Sequence, residues 1–290
     1  MNKFARCRWL PAVACCLWAL ARPASASVPA AGDGVGDVAP PIVDRRWDQA
    51  FGFPVGEELT YTLYWGIIPV GHAHVTTSWV DDEAGRRLLH IRGRTLSNKV
   101  IGKLYPVNDV VESFVEPDSF LPVRFARNLS EGRTRRHDET VFDFSTLKAT
   151  YRSFIKDKVR EFPIEPDSRD ILTFMYYTRR QTFQEETAPK FKVMADDKLY
   201  DLTTAAQKTE TVRLERYGDI PCLKMEPKAA FEGLFVRKGR MFTWVSTDSR
   251  HLLVKAWVDT PFANVKILLE KVHGPGSDFW VRPKDAAAGR

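Results

Sequence analysis

The chain has 290 residues, with 43 Lys and Arg against 37 Asp and Glu and a formal net charge of +6. Lys3, Arg6, Arg8 and Arg22 lie in residues 1–26, which carry no acid, so the remainder holds 39 bases against 37 acids; that near-neutral balance makes the overall charge weak evidence for a nucleic-acid partner, and none is expected. Cys7, Cys15 and Cys16 lie in the same stretch and leave Cys222 alone, which excludes an internal disulfide beyond it, and the chain is long enough to bury a core without one.

The N-terminus has the order of parts that secretion requires. A basic start is followed by an apolar run from Trp9 to Leu20, too short to span a bilayer, and Ala24-Ser25-Ala26 offers the small alternate residues a signal peptidase accepts. Residues 1–26 are read as a removed signal peptide, which predicts a periplasmic or secreted protein. The rival reading is a lipoprotein anchored through Cys15, but Ala12 stands where a lipobox has Leu. Residues 27–46, rich in Ala, Gly, Pro and Asp, read as a flexible leader, and 282–290 as a loose tail. Between them, residues 47–281 are expected to form one β-rich domain, with no transmembrane segment in the mature chain.

Alternation of apolar and polar residues, the mark of half-buried strands, is the commonest local signal. Leu59, Tyr61, Leu63 and Trp65 alternate with Thr60, Thr62 and Tyr64, and Ala73, Val75, Thr77 and Trp79 face away from His72, His74, Thr76 and Ser78. Gly66 to Gly71 reads as a bent connection or bulge. Further strands are expected at 88–96, 107–116, 122–129, 134–144, 149–155, 158–164, 190–195, 199–216, 221–228, 240–247, 252–260 and 264–272. Asn98 to Leu104 suggests a short helix. Asp170 to Phe183 suggests a longer one, N-capped by Asp170, with Ile171, Phe174, Met175 and Thr178 at helical spacing and Arg179 and Arg180 near its C-terminal end. These elements predict an all-β, mostly antiparallel fold: a strongly curved sheet or incomplete β-barrel with one short helix and one longer helix flanking or plugging it.

Several segments, in order, resemble one exported bacterial family. Phe53-Pro54-Val55-Gly56-Glu57-Glu58-Leu59-Thr60-Tyr61 with Trp65 to Gly71, then Leu121 to Phe125, Phe142-Asp143, Asp170 through Arg179 and Trp244 to Arg250 are similar to domain of unknown function 3108. The resemblance spans roughly residues 51–272. It implies an exported, largely β, barrel-like protein, and it brings no activity or catalytic residue with it.

Candidate constellations compete with plainer structural readings. His72 and His74 face one side of a strand and are metal-ligand candidates, with His90, Asp109, Glu112 and His137 as conceivable further ligands; the plainer reading is two histidines on a solvent face. Ser246, Asp248 and His251 have the residue types of a hydrolytic triad, but their closeness in sequence and the lack of a Gly-x-Ser-x-Gly elbow favour turn chemistry. Arg124, Arg127, Arg133, Arg135 and Arg136 form a basic stretch diluted by Glu131, Asp138 and Glu139, and a pair between Arg124 and Asp143 is conceivable. Asp170 and Arg179 are expected to anchor the helix to the sheet separately. Cys222 reads as a buried, inert thiol.

The aromatic residues are able either to fill a core or to line a cavity. The ligand-binding candidates are Trp65, Tyr61, Tyr176, Trp244 and Arg124, with no catalytic residue and no cofactor assigned. Together these readings predict a non-catalytic exported protein that binds an apolar or amphipathic envelope component, a lipid or glycolipid. An envelope polysaccharide- or lipid-acting enzyme using His72 and His74 is the alternative, and an envelope assembly factor with a protein partner is a third reading.

Overall fold

The structure is a computed structural model that describes residues 51–195, 198–229, 240–259, 264–275 and 280. The signal segment 1–26 with Cys15, the leader 27–46 and the tail 282–290 lie outside the described residues. The strands are β1 (Glu58–Trp65), β2 (Ile68–Asp81), β3 (Arg87–Ser97), β4 (Asn108–Glu116), β5 (Leu121–Glu131), β6 (Thr134–Asp143), β7 (Lys148–Ser153) and β8 (Lys158–Pro163), followed by β9 (Arg169–Asp170), β10 (Lys190–Ala195), β11 (Lys198–Leu214), β12 (Gly218–Ala229), β13 (Met241–Ser246), β14 (Leu253–Val258) and β15 (Val265–His273). Two short helices interrupt them, α1 (Ile101–Leu104) between β3 and β4 and α2 (Ile171–Thr178) directly after β9.

All the strands join one curved sheet in the order β8-β7-β6-β5-β4-β3-β2-β1-β15-β14-β13-β12-β11-β10-β9. Neighbours pair antiparallel except β9 with β10, which are parallel. The first and last long strands meet at its centre, where β1 runs beside β15 from Glu58↔His273 to Trp65↔Val265. The sheet does not close: β8 and β9 are its edges among the described residues. β9 tucks against the concave faces of β4 and β5, while β8 carries Lys158, Arg160 and Glu161 on its free edge, charges that discourage pairing with another chain.

Strict alternation makes the concave face apolar. Along β4, Val111 and Val115 are buried with Asp109 and Ser113, while Asn108, Val110, Glu112 and Phe114 are more exposed. One contiguous cluster runs from Phe51 and Phe53 through Leu63, Ile91, Leu172 and Leu202 to Ile267. The bend expected between Gly66 and Gly71 resolves into a tight tip at Gly66-Ile67 and a bulge, since Leu63 pairs with Gly71 and Tyr64 with Pro69. Gly71 is required there because an added Cβ would strike the Leu96 carbonyl oxygen.

α2 fills the concavity near the open seam. Its N-cap is Asp170, whose Oδ1 accepts from the amides of Leu172 at 2.8 Å and Thr173 at 3.0 Å. The other oxygen accepts from Thr173 Oγ1 at 2.6 Å and from Ser113 Oγ of β4 at 2.7 Å, so one carboxylate caps the helix and fastens it to the sheet. The helix ends at Thr178, five residues before the expected Phe183. The amides of Arg179, Arg180 and Gln181 turn back to carbonyls three residues earlier, and the Arg179 carbonyl is taken by the His251 ring at 2.8 Å. A carbonyl held by a distant side chain is drawn away from the next helical turn.

Replacing Asp170 by Ala should therefore cost about 2–4 kcal/mol, from the lost cap and the buried donors left without a partner. Asp170→Asn should cost less. Urea unfolding would show the loss as a lower midpoint with an unchanged slope.

Candidate functional site

The site begins with two adjacent glutamates that point to opposite sides. Glu58 starts β1 and is exposed, whereas Glu57, one residue earlier, is wholly buried. The turn Phe53-Pro54-Val55-Gly56 sets this up: the Glu57 amide donates to the Pro54 carbonyl, and the Gly56 amide donates to the Thr77 carbonyl at 3.0 Å. Gly56 has φ +96°, a conformation that suits glycine.

Two arginines from distant parts of the chain meet Glu57. Arg179, the residue that follows α2, reaches Oε1 with Nη1 at 2.5 Å and Oε2 with Nη2 at 3.1 Å, a bidentate pair. Arg250, on the turn between β13 and β14, donates from Nη2 to Oε2 at 3.2 Å. The arginines are also tied to each other, since Arg179 Nε donates to the Arg250 carbonyl at 3.0 Å. His251 has φ +43°, a left-handed conformation that costs a non-glycine residue energy, and its Nδ1–H donates to the Arg179 carbonyl. Both guanidiniums are almost fully buried. For Arg179, burial opposes the charged form but the Glu57 carboxylate outweighs it and the pKa is raised. For Arg250, burial prevails over Glu57 and the pKa is lowered.

Aromatic rings enclose this cluster. The Arg179 guanidinium lies 4.9 Å from the Phe53 ring centre and 5.0 Å from that of Tyr176, and Arg250 lies 5.7 Å from Trp280. The Tyr176 pKa is raised well above its ordinary value, by burial first and then by the Glu57 carboxylate. Burial likewise raises that of Tyr61. Both phenols therefore stay protonated.

From the cluster an apolar cavity runs along the concave face between α2 and strands β1, β2 and β11–β14. It holds about 1070 Å³ of empty space, part of it open solvent at the mouth. Tyr61, Phe174, Tyr176 and Thr204 line it, as do the flexible side chains of Met175, Met225 and Met241, with Arg179 and His251 at the charged end. The hydroxyl of Thr204 is buried without a hydrogen-bond partner in the protein, and that of Tyr176 is buried beside the Arg179 guanidinium. A second cavity, about 630 Å³ counted the same way, lies further along β1, lined by Leu63, Trp65, Val70, Ile101 and Leu104.

The five ligand-binding candidates from the sequence thus separate. Tyr61 and Tyr176 line the main cavity, and Trp65 lines the second. Trp244 lies off the cavities, because Thr243 and Val245 beside it take the concave side. Its indole Nε1 donates to Glu210 at 2.8 Å and Lys255 covers its ring. Arg124 is also away from both, with Nε donating to Glu139 at 3.0 Å and its guanidinium over Phe114. Its conceived partner Asp143 instead accepts from Ser145 and Thr146 in the β6–β7 turn, because an Asp at that position satisfies local donors first. Arg127 and Arg136 pair with Asp138, so acids on β6 answer the bases of this stretch.

His72 and His74 lie on the convex face, bonded to Thr62 at 3.4 Å and Thr60 at 3.2 Å, with Glu270 3.6 Å from His72. The other conceivable ligands do not converge on them. His90 pairs with Glu112, and His137 packs on Phe154. Among the described residues no group of three or more His, Cys, Asp or Glu is arranged to hold a metal. Ser246, Asp248 and His251 are near neighbours whose side chains do not bond one another: Ser246 Oγ accepts from the Leu252 amide, the Asp248 carboxylate accepts from the Arg250 amide and Trp280, and the His251 ring serves Arg179. Cys222 is buried, and burial first, then Asp248, pushes its thiol up to about 12, which leaves it unreactive.

Glu57 and Arg250 escaped the sequence reading as site residues. The signal was present in another form, since the segments 53–61, 170–179 and 244–250 that carry the family resemblance each supply one member of the buried cluster. The family described as a protein of unknown function, DUF3108, matches residues 60–270. The chain belongs to the DUF3108 family. This DUF3108 chain shares its fold with a β-barrel-like DUF1849 protein from Brucella abortus, at 11% identity and a TM-score of 0.52, over 76% of this chain and 97% of that one. It is similar more loosely to a protein with a YmcC-like fold from Bacteroides fragilis, at 8% identity and a TM-score of 0.30, over 76% of this chain and 96% of that one. No curated protein matches it.

Glu57→Gln should destabilise this DUF3108 domain by about 3–5 kcal/mol, because it leaves two arginines buried without their counter-charge. The triple change Glu57→Leu, Arg179→Met and Arg250→Met should restore much of that loss. Urea midpoints of the two variants make the comparison.

A second buried carboxyl gives a pH dependence. Burial raises the Asp109 pKa from its ordinary 3.8 to about 6, against the Ser130 amide and Glu131, which favour the charged form. Folding thus favours protonated Asp109; that contribution is whole below 3.8 and is lost as pH rises through about 6. Stability should fall by about 1–3 kcal/mol across that window. Denaturant midpoints against pH should lose this slope in Asp109→Asn.

Proposed function

We propose that this protein is an exported binding protein that holds an apolar or amphipathic molecule of the cell envelope, a lipid or glycolipid, in the main cavity of its curved sheet. One observation carries the reading: an apolar, methionine-lined cavity has Thr204 in its wall, and the buried Thr204 hydroxyl is not satisfied by the protein. A buried hydroxyl left unpaired costs stability, and a ligand with a polar group beside an apolar body would pair it. Methionines supply a lining that adapts to chains of differing shape. The signal-like N-terminus supports the compartment, since residues 1–26 have the form of an export signal.

The arrangement supports binding more than catalysis. The phenols of Tyr61 and Tyr176 are held protonated, Arg179 is locked on Glu57, and among the described residues the cavity presents no nucleophile with an adjacent base. Charge at one end and apolar walls along the rest suit a molecule that lies lengthwise.

Native mass spectrometry of the protein purified gently from the periplasm, before and after solvent extraction, should reveal a stoichiometric lipid or glycolipid. Thr204→Val should retain it two- to tenfold less well, the worth of one hydrogen bond of about 0.5–1.5 kcal/mol. It should unfold at an unchanged or higher urea midpoint. An empty protein, or retention unaltered in the variant, would refute the cavity reading.

A further inference from the structure

The end of the sheet remote from Glu57 presents apolar side chains to water. Ile67, at the β1–β2 tip, is 92% exposed, and Val100 and Leu104, on and beside α1, are 71% and 82% exposed. Single exposed apolar residues are ordinary on soluble proteins, but these belong to segments fastened together. Asn98 Nδ2 donates to the Pro69 carbonyl at 2.6 Å, and its Oδ1 accepts from the amides of Val100 and Ile101, which pins α1 beside the β1–β2 tip. On the other side, the Gly132 amide donates to the Pro106 carbonyl at 2.8 Å, so the β5–β6 turn packs against the end of the α1 segment. Beyond it His137 lies 4.6 Å from Phe154 in the β7–β8 turn, where Phe154 and Ile155 are also exposed.

Basic residues flank every one of these prongs except the β1–β2 tip. Lys99 and Lys103 bracket Val100 and the start of α1, Arg133 lies on the β5–β6 turn with Arg135 just inside β6, and Lys156 follows Ile155. The exposed acid among these segments is Asp157, while Glu131 points inward and is buried. Apolar tips surrounded by bases match a surface that is apolar within and anionic at its boundary. We infer that this end of the sheet docks on an anionic phospholipid bilayer, with Ile67, Val100 and Leu104 entering the headgroup region and the bases meeting lipid phosphates. A protein partner would require one continuous matched face, whereas apolar tips carried on separate turns can each enter a fluid surface. The second cavity, lined by Trp65, Ile101 and Leu104, shares Leu104 with the docking residues and so lies beside them. This attachment stands whether or not the main cavity holds a ligand.

The test is co-sedimentation of the processed protein with vesicles of phosphatidylglycerol and phosphatidylethanolamine, beside vesicles of phosphatidylcholine alone. The protein should pellet with the anionic vesicles at low salt and be released as salt rises. Ile67→Glu with Leu104→Glu, and separately Lys99→Glu with Lys103→Glu, should each weaken binding at least about tenfold. All four side chains lie at the surface, and a native urea midpoint confirms that both variants fold. Wild-type protein that stays in solution, that binds phosphatidylcholine equally well, or that is matched by both variants overturns the inference, as does a protein partner captured through Ile67 without vesicle binding. Docking is read from pelleted protein and cavity loading from lipid on soluble protein, so the two readings fail separately.

Discussion

The buried carboxylate of Glu57 is the constraint on which the arrangement of this molecule depends. It joins the segment before β1, the residue after α2 and the turn between β13 and β14, parts of the chain separated by 122 and 193 residues. Two cations around one anion in an interior are costly to desolvate, and they persist because bidentate geometry and backbone carbonyls satisfy most of the donors. Such a cluster tolerates few alternative packings. It stops α2 at Thr178, sets the rotation of the helix about its axis and so delivers Tyr176 to the cavity wall.

The two ends of the sheet have opposite characters. One is shut by the ion cluster and by Phe51, Phe53, Phe120 and Tyr176, packed edge to face or tilted against each other. At the other, Ile67 and Leu104 stand in solvent beside the second cavity. Because β9 tucks against the inner faces of β4 and β5, the sheet curls over itself without closing into a hydrogen-bonded cylinder. The helix packs against β4, β9 and β10 where a closed barrel would use backbone ladders, and the cavity lies along its other side.

Much of the fold was legible because alternation is a local signal. The runs beginning at Leu59 and Ala73, the strands expected on either side of Lys156-Asp157 and the cap at Asp170 occupy the places their residues suggested. The site was less legible. Trp244 and Trp65 look alike in sequence, yet one lies beneath Lys255 on the convex side and the other lines a cavity, and only strand register distinguishes them. Arg124 and Asp143 are plausible partners by charge, but each found a nearer one across the ladder or within its own turn.

Composition and periodicity by themselves determined that this chain forms a curved antiparallel sheet with an apolar concave face, since side-chain alternation needs no knowledge of distant residues. Tertiary structure alone decided that Glu57 is buried while Glu58 beside it is exposed, that α2 ends where Arg179 is captured, and that Tyr61 and Tyr176 share a cavity. Those outcomes depend on contacts between residues more than a hundred positions apart, and the energy of a buried charge is set by what surrounds it in space.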